Sequence, residues 1–108
     1  MMGRGRYVLD DSGNVIRCDD LMAWAAWFEK ADRRLACNQV NDDVRVSTIF
    51  LGLDYNLGTG QPILWETMIF GGPHDGYESR YDSREAALAG HAEALALARE
   101  CAAGDSTA

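Results

Sequence analysis

The chain has 108 residues, of which 47% are hydrophobic, and a formal net charge of −7. This length fits one domain, and the hydrophobic share is sufficient for a core that needs no disulfide or metal staples. The acidic balance argues against direct nucleic-acid binding and favours a protein partner with a basic surface. No apolar run approaches the roughly 18 residues of a membrane span, so we expect no membrane association.

The cysteines and the N-terminal residues indicate a reducing, cytoplasmic environment. Cys18, Cys37 and Cys101 are odd in number and lack a CxxC spacing, which is not typical of a disulfide framework or a zinc site. We therefore expect free thiols and neither a metal nor a cofactor. The start MMGRGRYVLDD lacks the apolar stretch of a signal peptide, so we expect a location in the bacterial cytoplasm.

The first half of the chain predicts a hairpin and a helix. Two β-favouring runs at residues 7–9 and 15–16, separated by turn residues, indicate the hairpin. Residues 19–35 predict the helix, because an aspartate can cap its start and apolar side chains recur every three or four positions. Residues 38–43 are polar and predict a connection. The apolar stripe of the helix consists of Leu21, Trp24, Ala25, Phe28, Ala31 and Leu35.

The second half predicts strands followed by a long helix. Residues 44–53 and 62–70 are rich in β-branched and apolar side chains, and residues 77–81 indicate a further strand. The second helix follows an Asp-Ser cap and is expected to end near residue 103, which leaves 104–108 as a disordered tail. Its inner stripe is expected to contain Leu88, His91, Leu95, Ala98 and Ala102.

The element order, β-β-α-β-β-(β)-α, contains no βαβ alternation and predicts a single α+β domain over residues 1–103. We expect a mostly antiparallel sheet with two amphipathic helices packed on one face. The strand at residues 62–70 is apolar on both sides, so its second face must be covered by the N-terminal hairpin or by a second subunit. A homodimeric structural or assembly protein, formed through this apolar sheet face, is therefore one alternative.

Glu66 and His91 are the candidates for catalysis. His91 lies in the stripe of the second helix, and Glu66 lies in the middle of an apolar strand. A carboxylate beside an imidazole could support acid–base chemistry or a ligand pocket between the helix and the sheet. Arg80 would supply a cation for a phosphate or carboxylate ligand. The favoured interpretation is structural, with His91 bonded in the core to a backbone carbonyl or a carboxylate and Glu66 reaching solvent.

Two aromatic residues are candidates for contact with a partner. Tyr55 lies in a glycine-bearing loop, and Trp27 lies at the edge of the stripe of the first helix. Aromatic side chains are enriched at binding hot spots, although core packing is an equal alternative for both. The sequence has neither a nucleophile elbow nor a phosphate-binding glycine motif. We therefore favour a non-enzymatic protein-interaction module over an enzyme.

The strand pair STIFLGLD at 47–54 and LWETMIFGG at 64–72 resembles a family of small uncharacterised proteins encoded by phages and prophages. The similarity extends over residues 7–99 and includes Arg80-Tyr81 and Gly90-His91. This resemblance implies an accessory protein that acts on a host protein, for example a defence or gene-expression factor. It implies no known activity and no catalytic residue.

Overall fold

Two antiparallel sheets and two helices make up the fold, and the predicted α+β class is confirmed. The structure, a computed structural model, describes residues 5–56 and 60–107, with side chains as far as residue 100. The small sheet contains strands β1 and β2, and the large sheet has the strand order β3-β4-β5-β6. The elements are β1 (Tyr7–Leu9), β2 (Val15–Arg17), α1 (Leu21–Lys30), β3 (Arg34–Gln39), β4 (Arg45–Phe50), β5 (Trp65–Phe70), β6 (Glu78–Tyr81) and α2 (Arg84–Thr107).

Helix α1 is shorter than predicted, because the chain returns into a strand. Asp20 caps the start, and its carboxylate accepts hydrogen bonds from the backbone N–H groups of Met22 and Ala23. The chain leaves the helix at Ala31, which is extended. The predicted helix end is therefore wrong, since residues 34–39 form β3, and the predicted polar connection at 38–43 begins two residues too early. Pairing with β4 satisfies the backbone groups of β3, and this tertiary gain outweighs the helical pattern.

The large sheet has a covered inner face and an open outer face. Thr48 of β4 lies opposite Thr67 of β5, and both side chains are fully buried. His91 of α2 hydrogen-bonds to Thr48, so α2 covers this inner face. Successive side chains of a strand point to opposite faces, which places Ile49 and Glu66 on the outer face.

Two clusters of buried side chains fill the space between the inner face and the helices. Trp27 of α1 packs edge-on against Phe50, with the ring centroids 6.0 Å apart. Both helices therefore contact the inner side of the sheet, as predicted. The first cluster consists of Val44, Val46, Ile69, Ala94 and Ala98. The second consists of Phe50, Leu64, Trp65 and Ala87.

The N-terminal hairpin continues the line of β4 and does not cover the outer face. The backbone N–H of Tyr7 donates to the carbonyl of Gly52 at 2.9 Å, and the indole N–H of Trp24 is 3.1 Å from that same carbonyl oxygen. The side chains of Tyr7 and Leu9 pack against the cluster around Phe50. Of the two alternatives for covering the second sheet face, the N-terminal hairpin is therefore wrong.

Helix α2 approaches the sheet through small residues. The predicted stripe is correct for His91 and Ala98 but wrong for Leu88, which is 40% exposed. Gly90 lies directly against the ring of Tyr81, and a side chain there would overlap that ring. The helix continues to Thr107, so the predicted tail at 104–108 begins within α2. The buried face of α2 consists of Ala87, Gly90, His91, Ala94 and Ala98.

Replacement of Gly90 by alanine should destabilise the protein, although alanine favours helices. The added methyl group would overlap Tyr81, so we expect the free energy of unfolding to fall by about 1–3 kcal/mol. Helix propensity alone would raise it by about 1 kcal/mol. Urea denaturation measures the difference. In a Tyr81→Ala background the same change should be neutral or stabilising, and an equal loss in both backgrounds would contradict this contact.

Two phenylalanines test the assignment of the sheet faces. Phe50 is 0% exposed on the inner face, whereas Phe70 is 37% exposed on the outer face. Phe50→Ala should lower the free energy of unfolding by about 3–5 kcal/mol, because it leaves a cavity. Phe70→Ala should cost less than about 1 kcal/mol, since its site is already open to water. Similar melting temperatures for the two variants would show that the faces are assigned wrongly.

Candidate functional site

Glu66 and His91 do not form the pair considered from the sequence. Glu66 and Thr67 are neighbours in β5, so their side chains point to opposite faces of the sheet. Thr67 shares the inner face with His91, which leaves Glu66 on the outer face. The sheet itself separates the two groups, and the pocket that depended on their meeting is not formed.

His91 belongs to a chain of hydrogen bonds that we call the polar chain: Asn38, His91, Thr48 and Thr67. The Nε2 atom of His91 lies 2.8 Å from Oδ1 of Asn38, and its Nδ1 atom lies 2.7 Å from Oγ1 of Thr48. The hydroxyl oxygens of Thr48 and Thr67 are 2.5 Å apart. The polar chain therefore connects α2 to β3, β4 and β5.

The partners of His91 determine its tautomer. The amide oxygen of Asn38 can only accept a hydrogen bond, so Nε2 of His91 carries the hydrogen. In the neutral ring, Nδ1 then accepts a hydrogen bond from the hydroxyl of Thr48. The hydroxyl oxygen of Thr48 accepts a hydrogen bond from the hydroxyl of Thr67. This arrangement satisfies a neutral imidazole at both nitrogens.

Burial lowers the pKa of the His91 imidazole from its ordinary value of 6.5. The ring is 6% exposed and its hydrogen-bond partners are uncharged, so nothing in the polar chain compensates a positive charge. The two hydrogen-bond partners of the ring are a hydroxyl and an amide, not the carboxylate considered from the sequence. An imidazole with both nitrogens bonded in this way has a structural role, as the favoured interpretation held. That interpretation was wrong about the partners of His91, and also about Glu66, which is buried against Arg80.

Arg80 lies on the outer face between two carboxylates. Its Nε donates to Glu66 Oε2 at 2.9 Å, and its Nη2 lies 3.1 Å from Glu78 Oε1. The guanidinium also lies over the ring of Tyr55, 4.8 Å from the centroid. Its positive charge is therefore already balanced, and an anionic ligand would have to displace a carboxylate. The role of Arg80 in ligand binding stays a prediction.

The loop after β4 places Tyr55 above this ion pair. The carboxylate of Asp54 accepts from the backbone N–H groups of Asn56 at 2.7 Å and Ile63 at 2.9 Å, which joins the two arms of the loop. The backbone N–H of Tyr55 donates to the carbonyl of Ile63 at 3.0 Å. Glu66 is only 8% exposed, although it lies on the open side of the sheet. Tyr55 is thus part of the outer surface.

Trp27 differs from Tyr55, because it packs into the core. Its ring is half-buried and contacts Phe50 on the inner side of the sheet. Of the two alternatives considered for Trp27, the geometry places it in core packing. Sequence periodicity could not decide between core packing and contact with a partner, since Trp27 lies at the edge of the apolar stripe.

The remaining outer face carries an uncovered group of side chains, which we call the outer patch: Arg45, Ile49, Met68 and Phe70. The guanidinium of Arg45 lies over the ring of Phe70, 4.7 Å from its centroid. Met68 is half-buried on the same face of β5 as Phe70, and half-buried Ile49 lies further along β4, opposite Glu66. Neither helix packs here, since α2 lies on the inner face and α1 contacts β1. The apolar second side of β5 was evident from the sequence, but the stacked Arg45 was not.

The described part of the chain contains no group of three or more His, Cys, Asp or Glu side chains placed to hold a metal ion. None of its helices is long and apolar enough to cross a bilayer. Cys18 and Cys37 are free thiols, and the side chain of Cys101 lies outside the described region. Comparison of the chain with protein-family models, curated proteins and solved structures found no match.

The stability of the protein should fall as the pH drops below about 6.5. The folded state holds His91 neutral, whereas the unfolded chain protonates it near its ordinary pKa of 6.5. The unfolded state therefore binds more protons between the folded-state pKa and about pH 6.5, and stability rises with pH in that window. Above it the contribution of His91 is fully present.

The variant His91→Gln tests this pH dependence. Removal of the ring should lower the free energy of unfolding by about 1–3 kcal/mol at pH 8, because Thr48 or Asn38 loses its partner. The carboxylates affect wild type and variant alike, so the difference between them isolates His91. We expect that difference to shrink as urea denaturation is repeated from pH 8 to pH 5. A constant difference would contradict a neutral, buried imidazole.

Proposed function

We propose that the protein is a non-enzymatic interaction module that binds another protein through its outer patch. The observation that carries the proposal is the exposed ring of Phe70 with Arg45 stacked on it, on a sheet face that neither helix covers. Aromatic residues, methionine and arginine are the types enriched at the centres of protein interfaces. The ion pair of Arg80 with Glu66, beside Tyr55, would border the same interface.

Acidic turns beside the outer patch favour a partner with a basic surface. Asp43 precedes β4, and its carbonyl lies directly against Gly71 at the end of β5. The backbone N–H of Gly71 also donates to the carboxylate of Asp75 at 2.7 Å. Two exposed aspartates, Asp43 and Asp75, therefore lie in the turns next to the Phe70 end of the outer patch. An acidic rim attracts a basic partner and orients it, which matches the net charge of −7.

The nature of the partner follows from the resemblance to phage and prophage proteins. Such a protein would work in the bacterial cytoplasm and bind a host protein, for example a defence or gene-expression factor. Binding alone would suffice for this role, since occupation of a functional surface blocks it. The open outer face would also accept a second copy of the chain, which is the alternative of a homodimer through the sheet face.

Affinity capture from the lysate of a bacterial host tests the proposal with a matched pair of variants. Phe70 and Leu88 are 37% and 40% exposed, but they lie on opposite sides of the protein. Phe70→Asp should remove a stoichiometric host protein from the captured fraction, because a charge in the centre of an interface costs roughly 2 kcal/mol or more. Leu88→Asp should retain that protein.

Equal capture by both variants would contradict the use of the outer patch. Circular dichroism should show the same folded spectrum for the two proteins, so that loss of binding is not loss of folding. A captured fraction that contains only the tagged chain and its own untagged copy would favour the homodimer through the sheet face if Phe70→Asp abolishes this self-capture.

A further inference from the structure

Among the described residues, strand β3 forms one edge of the large sheet and pairs with β4 alone. The backbone N–H of Val40 donates to the carbonyl of Val44 at 2.8 Å. Antiparallel strands alternate between hydrogen-bonded and non-hydrogen-bonded pairs, so Asn38 and Ala36 also direct their backbone groups toward β4. The N–H and C=O groups of Cys37 and Gln39 consequently point away from the sheet.

The free side of β3 carries few of the features that protect sheet edges. Proline, inward-facing charges and short length normally prevent edge strands from pairing with other chains. β3 has six residues without proline, and Cys37 and Gln39 are exposed. Its irregular pairing lies only at the N-terminal end, between Arg34 and Ala36. The opposite edge, β6, is four residues long and carries the charged Glu78 and Arg80.

We propose that β3 pairs antiparallel with β3 of a second copy, with the two-fold axis at Asn38. Cys37 of one copy then lies opposite Gln39 of the other, and their outward backbone groups hydrogen-bond in both symmetric positions. The two large sheets join into one sheet of about eight strands, twice the four of each copy.

Complementary charges favour a second copy of the chain as the partner of β3, in the register that places the two-fold axis at Asn38. With the axis at Asn38, Arg34 of one copy faces the turn that contains Asp42 of the other, and the symmetry repeats this contact. An axis at Cys37 would instead bring Asp32 near Asp42, where like charges repel. Arg34 now contacts Asp32 at 3.3 Å, and both side chains are largely exposed, so the guanidinium can also reach a carboxylate across the axis.

The edge dimer does not depend on the proposed binding of a host protein. It would add self-association to that function. Pairing through β3 leaves the outer patch uncovered and places the two copies of it on one continuous sheet face. Two linked copies of a weak binding surface raise the apparent affinity for a repeated or dimeric partner.

Sedimentation equilibrium of the purified full chain tests the edge dimer with a proline variant. Cys37→Pro removes an outward N–H that makes no bond to β4, and it should shift the protein from dimer to monomer at micromolar concentration. Cys37→Ser keeps the N–H and should remain dimeric. Phe70→Asp should also remain dimeric, which separates the edge dimer from a dimer through the sheet face. A wild-type protein that is monomeric throughout would overturn the proposal.

Charge reversal provides a second test that does not depend on proline being tolerated. Arg34→Asp and Asp42→Arg should each weaken the dimer by about tenfold, because two symmetric contacts become repulsive. The double variant should regain most of the affinity, since the charges are exchanged. Dimerisation that is insensitive to both single changes would place the interface elsewhere and overturn the use of β3.

Discussion

A buried imidazole that hydrogen-bonds at both ring nitrogens holds α2 on the large sheet. The polar chain joins four elements, and every group in it has a partner, so the inner face can contain polar atoms without a large cost in free energy. Its geometry requires a short distance between the helix and the strands. Alanines and Gly90 permit that distance, and the ring of Tyr81 fills the space beside Gly90.

The position of α2 determines which chemistry the protein can present. Because the helix and the hairpin both pack on the inner side, His91 is sealed and its pKa is lowered. The groups that remain available lie on the outer face: the ion pair of Glu66 and Arg80, and the stacked pair of Arg45 and Phe70. These side chains make the contacts on which the proposed binding surface rests.

The outer patch and the β3 edge use different forces and so suit different partners. The outer patch offers apolar area and a stacked arginine inside an acidic rim, which is suited to a basic protein surface. The edge offers unpaired backbone groups and opposite charges at its two ends, which is suited to a second copy of itself. Occupation of one surface leaves the other accessible, because the first lies on a sheet face and the second in the plane of the sheet.

The sequence by itself determined the α+β class, an aspartate cap at the start of α1 and the strands that contain Thr48 and Thr67, because capping residues, turn residues and local patterns of period two specify them. It also implied that Glu66 and Thr67 point in opposite directions. Only the tertiary structure decided which of these faces α2 covers, and hence that Glu66 and His91 stay apart. Likewise, only the tertiary structure decided that β3 stands where the sequence predicts the end of the first helix, because long-range strand pairing outweighs local periodicity. It also decided that Leu88 is exposed, because α2 packs closely on the sheet through small residues.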